Sequence, residues 1–124
     1  MQVNRSMNNL LVKLIVNTLS VFITAWILGD AVRLDGFGTA ILVAIVLALL
    51  NITVKPLLIF FTIPATIFTL GLFLFVINAV VILLADNLIS GFAVRGFWWA
   101  LLFSLVLSFV NSLLNSFGKE KVRR

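Results

Sequence analysis

The chain has 124 residues, a formal net charge of +5, 63% hydrophobic and 10% charged residues, and a mean hydropathy of +1.27. Soluble domains use roughly 45–50% apolar and 25% charged residues, so this composition is that of a membrane protein. There is no His, Cys or Tyr, and the only acids are Asp30, Asp35, Asp86 and Glu120, which excludes thiol chemistry, a His-based triad and a His/Cys metal site.

A spanning helix takes about 20 mostly apolar residues, so four fit into this length and five do not. Leu10 to Leu28 is an apolar run interrupted only by Lys13 and closed by Asp30, Arg33 and Asp35, which predicts span one over 10–28. Phe37 to Val54, about 27 Å of helix, predicts span two, ended by Lys55-Pro56. From Pro56 to Ala85 there is no charge. As one straight helix that stretch would reach about 45 Å and overshoot a hydrocarbon core of about 30 Å. Pro64 lacks an N–H donor and biases its predecessor away from helix, so it is the expected break. A short segment over 56–63, interfacial or re-entrant, is expected before span three over 64–85, with Thr62, Thr66 and Thr69 able to satisfy freed backbone groups. Phe97 to Leu114 predicts span four, followed by a basic tail over 117–124. The chain is thus expected to be a single transmembrane domain, an all-α membrane protein with four transmembrane helices.

Four spans put both termini on one side. Arg5, Lys13, Lys55, Lys119, Lys121, Arg123 and Arg124 share that side, whereas Arg33 and Arg95 sit opposite. This asymmetry predicts cytoplasmic termini in a bacterial inner membrane. Asp30, Asp35 and Asp86 fall outside, and Trp26, Trp98 and Trp99 near the outer interface read as an aromatic belt. A cleaved signal peptide is not expected, because the first apolar run is long and no good small-residue cleavage site follows it. Nor is nucleic acid an expected partner. Four of the basic residues form a short tail that suits anionic lipid headgroups, where each is worth about 1 kcal/mol.

Shifting the chain by 60 positions aligns Gly36–Asn51 with Gly96–Asn111, with identities at Gly36/Gly96, Phe37/Phe97, Ala40/Ala100, Leu42/Leu102, Val46/Val106, Leu47/Leu107 and Asn51/Asn111. Val32-Arg33 precedes the first Gly-Phe as Val94-Arg95 precedes the second, and Asn17 and Asn78 lie at similar depths in spans one and three. Two tandem helical hairpins are therefore expected, as a parallel pseudo-repeat about an axis along the membrane normal. Ala40, Ala44 and Ala48 are spaced i, i+4, i+8, as are Ala100, Ser104 and Ser108, giving two small-residue stripes for close helix packing within the chain or in a homo-oligomer.

Eleven residues at about 100° each bring Asn51 over Ala40 and Asn111 over Ala100. Asn17, Asn51, Asn78 and Asn111 are expected to form a polar intramembrane cluster, either as interhelical glue or as the lining of a ligand, ion or water site. With no acid or His at mid-span, a proton relay or tight cation site is not supported. Lys55 can snorkel to headgroups and anchor span two, or contact a lipid phosphate, while Pro56 suits the first turn of a following helix.

Leu49-Leu50-Asn51, Val54-Lys55-Pro56-Leu57, Ile63-Pro64, Thr69-Leu70-Gly71-Leu72-Phe73, Val76-Ile77-Asn78-Ala79, Gly91-Phe92 and Gly96-Phe97-Trp98 together resemble the YvlD-like, phage-holin-like family, holin superfamily IV, of small four-span bacterial membrane proteins. The resemblance runs from about span one to the end of span four. This sequence departs from the family pattern at Ala65, where Leu is usual after the Pro, and at Ser90, where Pro is frequent. The resemblance implies a fold and a membrane location but brings no catalytic residues. No enzymatic activity and no cofactor are expected. The expected role is a non-enzymatic integral membrane protein acting in envelope maintenance or stress response by organising lipid or a partner. The alternatives are a holin-like oligomeric pore and a small lipid or solute translocator using the Pro56–Pro64 segment.

Overall fold

The computed structural model describes the backbone of residues 2–123 and the side chains of residues 9–117. Helices make up nearly all of it: α1 (Gln2–Leu28), α2 (Phe37–Phe61), α3 (Ile63–Phe68), α4 (Phe73–Leu88) and α5 (Phe97–Arg123). A single 3-10 turn (Gly29–Ala31) leads into β1 (Val32–Leu34), and β2 (Phe92–Val94) precedes α5. Three stretches, Asn9–Ala31, Phe37–Phe61 and Phe97–Phe117, are long and apolar enough to cross a membrane, and α4 is a shorter apolar helix.

The main packing partners of α1 are α2 and α5, and those of α4 are also α5 and α2. The four long helices therefore form a ring in the order α1, α2, α4, α5, with α1 and α4 on opposite corners. Small side chains let the ring close: Ala40, Ala44, Ala79, Ala85 and Ala100 are buried beside Val21, Val43, Leu47, Ile82 and Phe103. On α1 the buried Ser20 and Thr24 donate their hydroxyls to the Val16 and Ser20 carbonyls four residues back, so the core accepts these polar groups without orphaning them.

The segments that leave α1 and enter α5 pair as an antiparallel ribbon, a feature absent from the all-helical expectation. Val32 lies opposite Val94, Arg33 opposite Ala93 and Leu34 opposite Phe92. Backbone bonds from Asp35 to Gly91 and from Arg95 to Ala31 extend the ladder. In an antiparallel pair alternate residues point their N–H groups away from the partner strand. Val94 is such a residue, and its N–H donates to the Asp86 carboxylate at 2.9 Å, which ties the ribbon to α4. Gly36 and Gly96 then turn the chain into α2 and α5 with φ of 98° and 141°, a region open to glycine and closed to residues with a Cβ. This recurrence explains why Gly-Phe opens both helices.

The opposite connection differs from the expected one. Pro56, expected to open a separate segment over 56–63, sits inside α2, which continues to Phe61. A proline inside a helix costs about 3 kcal/mol, but stopping the helix among lipids would strip several carbonyls of partners at several kcal/mol each, so the helix persists. Thr62 ends α2, donating its hydroxyl to the Leu58 carbonyl at 2.6 Å, and Pro64 lies in the first turn of α3, where its missing donor is harmless.

The second break falls at 69–72, inside the expected span three. There the Gly71 N–H bonds the Thr66 carbonyl and the Leu70 N–H bonds the Ile67 carbonyl, the paired closure of a Schellman motif. Leu70 and Gly71 have φ of 56° and 92°, which a right-handed helix cannot continue through. The result is a short α4 of about 24 Å in place of a helix over 64–85.

Candidate functional site

The two ends of the ring differ in packing. At the ribbon end Phe92 and Phe103 are fully buried, with ring centroids 5.5 Å apart in an edge-to-face contact, and Ala40, Val43 and Ala100 fill the space around them. Towards the end that carries the termini the small-residue stripes separate. Ala40 and Ala44 are buried on α2, and Ala100 and Ser104 on α5, but the next positions, Ala48 and Ser108, are exposed.

The separation opens a pocket of about 370 Å³ between α1, α2 and α5. Asn17, Asn51 and Asn111 line it, with Ala48, Ser108 and Ser112. Its size is within the roughly 300–1,000 Å³ of small-molecule sites. The Asn111 amide donates to the Asn17 carbonyl oxygen, linking α5 to α1, and the Asn115 amide donates to Asn111 at 2.6 Å, which orders a chain of three amides. Asn51 stands 14 residues into α2 and Asn111 14 residues into α5, about 21 Å from the start of each helix. No lining residue is ionisable. The pocket therefore offers amide and hydroxyl donors and acceptors without net charge.

Asn78 stands apart from this group. It lies half-buried on α4, which is diagonal to α1 in the ring, and does not line the pocket. Equal depth in the sequence is therefore not convergence in space, because α2 and α5 separate Asn78 from Asn17. Ser112 and Asn115 were not singled out in the sequence, although each follows a polar residue of α5, Ser108 and Asn111, by four positions and so continues the same face.

Asn51 also lines a second, larger groove of about 740 Å³, with Lys55, Pro56, Ile59, Phe60 and Ile63. Lys55 is half-buried. Lys55 stands four residues after Asn51 on α2 and so shares its face. Among the described residues the one ion pair is Arg33–Asp35 on the ribbon, where two guanidinium nitrogens each reach a carboxylate oxygen at 3.1 Å. That hydrogen-bonded guanidinium holds the Asp35 carboxyl below its ordinary value, and the carboxylate raises Arg33 in turn. The ribbon end also carries the exposed Trp26 and Trp98. The side chains of Arg5, Lys119, Lys121, Arg123 and Arg124, and with them most of the basic tail, lie outside the described residues.

A ring of apolar helices with a short fourth member fits the family whose model, described as mycobacterial 4 TMS phage holin, superfamily IV, matches residues 8–113. The chain belongs to phage holin superfamily IV. Two relatives are similar over most of their length. The uncharacterised membrane protein YvlD of Bacillus subtilis (strain 168) is 38% identical, covering 77% of this chain and 81% of its own. The uncharacterised protein SCO3922 of Streptomyces coelicolor (strain ATCC BAA-471 / A3(2) / M145) is 42% identical, covering 90% of this chain and 96% of its own. No solved structure matches. Among the described residues no cluster of His, Cys, Asp or Glu is able to hold a metal ion.

Proposed function

We propose that this superfamily IV member is a non-enzymatic multi-pass protein of the bacterial inner membrane, with both termini cytoplasmic, that organises lipid through its polar pocket and so serves envelope maintenance or stress response. The observation that carries this reading is that the pocket is blind. Its polar lining ends at Val21, Ala44 and Leu47, and beyond them the ring is filled by Val43, Ala40, Ala100 and the Phe92–Phe103 pair. Phe103 lies eight residues before Asn111, about 12 Å further towards the ribbon. A solute entering from the terminal end meets dry packing about 9 Å short of the ribbon end of α5, before it has crossed the bilayer.

The two hairpins, α1–α2 and α4–α5, are a parallel pseudo-repeat in this reading. The register of the ribbon supports it, because Val32 and Val94 are equivalent in the repeat and lie opposite each other, as residues on either side of a two-fold axis do. The pocket breaks the repeat: it takes Asn17 from α1 and nothing from α4.

Family membership favours one second reading, a holin-like oligomeric pore. Such a pore would have to lie between copies of the chain. Leakage of a small dye and ion conductance in liposomes containing the purified protein separate the two readings. Tight vesicles are expected, with the Asn51→Leu/Asn111→Leu pair behaving as wild type. Leakage that this pair abolishes overturns the reading and makes the amides the lining of a path.

A further inference from the structure

The helices α2 and α4 pack together and are level at the ribbon end, where the Asp35 N–H bonds the Gly91 carbonyl just before α2 begins and just after α4 ends. Their other ends are not level. Because α2 has 25 residues and α4 has 16, α4 starts about 14 Å short of the end of α2. The exposed Trp98, in the first turn of α5, marks the interface at the ribbon end. Measured from there, a hydrocarbon core of about 30 Å ends near Leu57 on α2, whereas α4, about 24 Å long, stops about 6 Å inside it. From this offset we propose that residues 67–72, the end of α3 and the turn into α4, are a re-entrant segment seated among the acyl chains of the leaflet on the side of the termini, where it completes the fourth span.

The backbone of the turn is closed for such a setting. Seven consecutive N–H groups, from Thr69 to Phe75, are all bonded locally. Those of Thr69, Leu70 and Gly71 reach the Ala65, Ile67 and Thr66 carbonyls, and those of Leu72, Leu74 and Phe75 reach the Thr69, Gly71 and Leu72 carbonyls. The remaining one, on Phe73, donates to the Thr69 hydroxyl at 3.0 Å, while that hydroxyl donates to the Ala65 carbonyl at 2.9 Å. One side chain thus closes the end of α3 and the start of α4 together. Hydrocarbon excludes irregular backbone because its unpaired donors find no partner there, and between 69 and 75 no donor is unpaired.

The side chains identify acyl chains, and not water or a second copy, as the surroundings. Phe68 is 89% exposed and Leu70 93%, with Ile67 and Leu72 exposed beside them and no charge between Pro56 and Ala85. That is a poor surface for water. Interfaces between membrane helices favour small residues that let backbones approach, whereas these four are all large. Leu57 and Phe60 on α2 and Leu74 and Phe75 on α4 are exposed as well, so the segment continues the lipid-facing surface of the helices on either side of it.

The test is electron paramagnetic resonance of a nitroxide on single cysteines of the full-length protein, in liposomes of dioleoyl phosphatidylethanolamine and dioleoyl phosphatidylglycerol. Leu70→Cys and Phe68→Cys are read against Leu105→Cys, an exposed position about 12 Å into α5, and against Ser116→Cys near the end of that helix. Oxygen enters hydrocarbon, whereas the polar complex nickel ethylenediaminediacetate stays in water. At both Leu70 and Phe68 the ratio of oxygen to nickel collisions is expected to exceed that at Ser116 by at least about tenfold, equivalent to about 1.4 kcal/mol against entry of the complex. A smaller excess at either position puts the segment in headgroup water and overturns the inference. Protection from both reagents at either position also overturns it, because a second copy would then cover the segment. None of these positions lines the polar pocket, so neither result bears on the reading that dye leakage tests.

Discussion

Leu70 is held in a conformation that costs a leucine about 1–2 kcal/mol, at φ 56°, yet it is 93% exposed and supports no packing in the fold. A glycine at that position of a Schellman motif would be unstrained. Leu70→Gly is therefore expected to raise the stability of the protein in detergent by about 0.5–1 kcal/mol, the relief of strain less the entropy of glycine, read as a higher thermal midpoint. An unchanged or lower midpoint would show that the leucine side chain itself contributes to the folded state. On the ribbon, Asp35 has a lowered folded pKa because Arg33 donates to it, so its contribution is complete above the unfolded value of about 3.9 and disappears as pH falls through the lower folded value. A carbon NMR titration of the Asp35 carboxyl should give a midpoint below about 3.9, and Arg33→Gln should move it up towards that value. Because both side chains are exposed, raised salt should shrink the difference.

The small-residue stripes carry two functions in one helix period, and substitution separates them. Ala44 is 3% exposed, so Ala44→Leu overpacks the ring and is expected to cost about 1–3 kcal/mol. Ala48, one turn on, faces the pocket, so Ala48→Leu should stay within about 0.5 kcal/mol of wild type in a thermal melt. A pair of equal costs would mean that the stripe is packed along its whole length and that the pocket is not open in solution. The same stripes mark how far sequence reasoning reaches. Apolar runs and their charged ends located α1, α2 and α5, since the cost of burying a charge in lipid is large and leaves a plain mark. The i, i+4, i+8 spacing identified which helix faces pack, but the divergence of the helices beyond Ala44 and Ser104 depends on all four helices at once and leaves no local sign. The ribbon was hidden for a related reason: three-residue strands carry too short an alternation to stand out, and their pairing joins residues about 60 positions apart. Pro56 and Pro64 both disfavour helix locally, and the lipid environment overrode the first while leaving the second at a helix start, where it is tolerated.

At the scale of the molecule, the fold fixes which residues share an end but not which end faces the cytoplasm, and the proposed orientation rests on charge. Lys13 and Lys55 are towards the terminal end, and Arg33 within β1 and Arg95 just after β2 are at the other. The basic residues at the two chain ends add to the first group, which gives the asymmetry that orients inner-membrane proteins. The orientation matters for the pocket, because it determines the leaflet from which a lipid enters and the compartment that senses its occupancy. The chain contains no cysteine, so single cysteines report accessibility without background. Ser90, exposed beside the ribbon, and Ser116, exposed near the end of α5, are positions where a small substitution disturbs no packing. A membrane-impermeant maleimide applied to intact cells should label Ser90→Cys and spare Ser116→Cys, which should react only after permeabilisation. The reverse pattern would place the pocket mouth on the outer leaflet and make the charge asymmetry a feature of lipid binding instead of topology. Labelling of both in intact cells would mean that the protein inserts in two orientations, and a parallel repeat with a pocket on one end would then serve both leaflets.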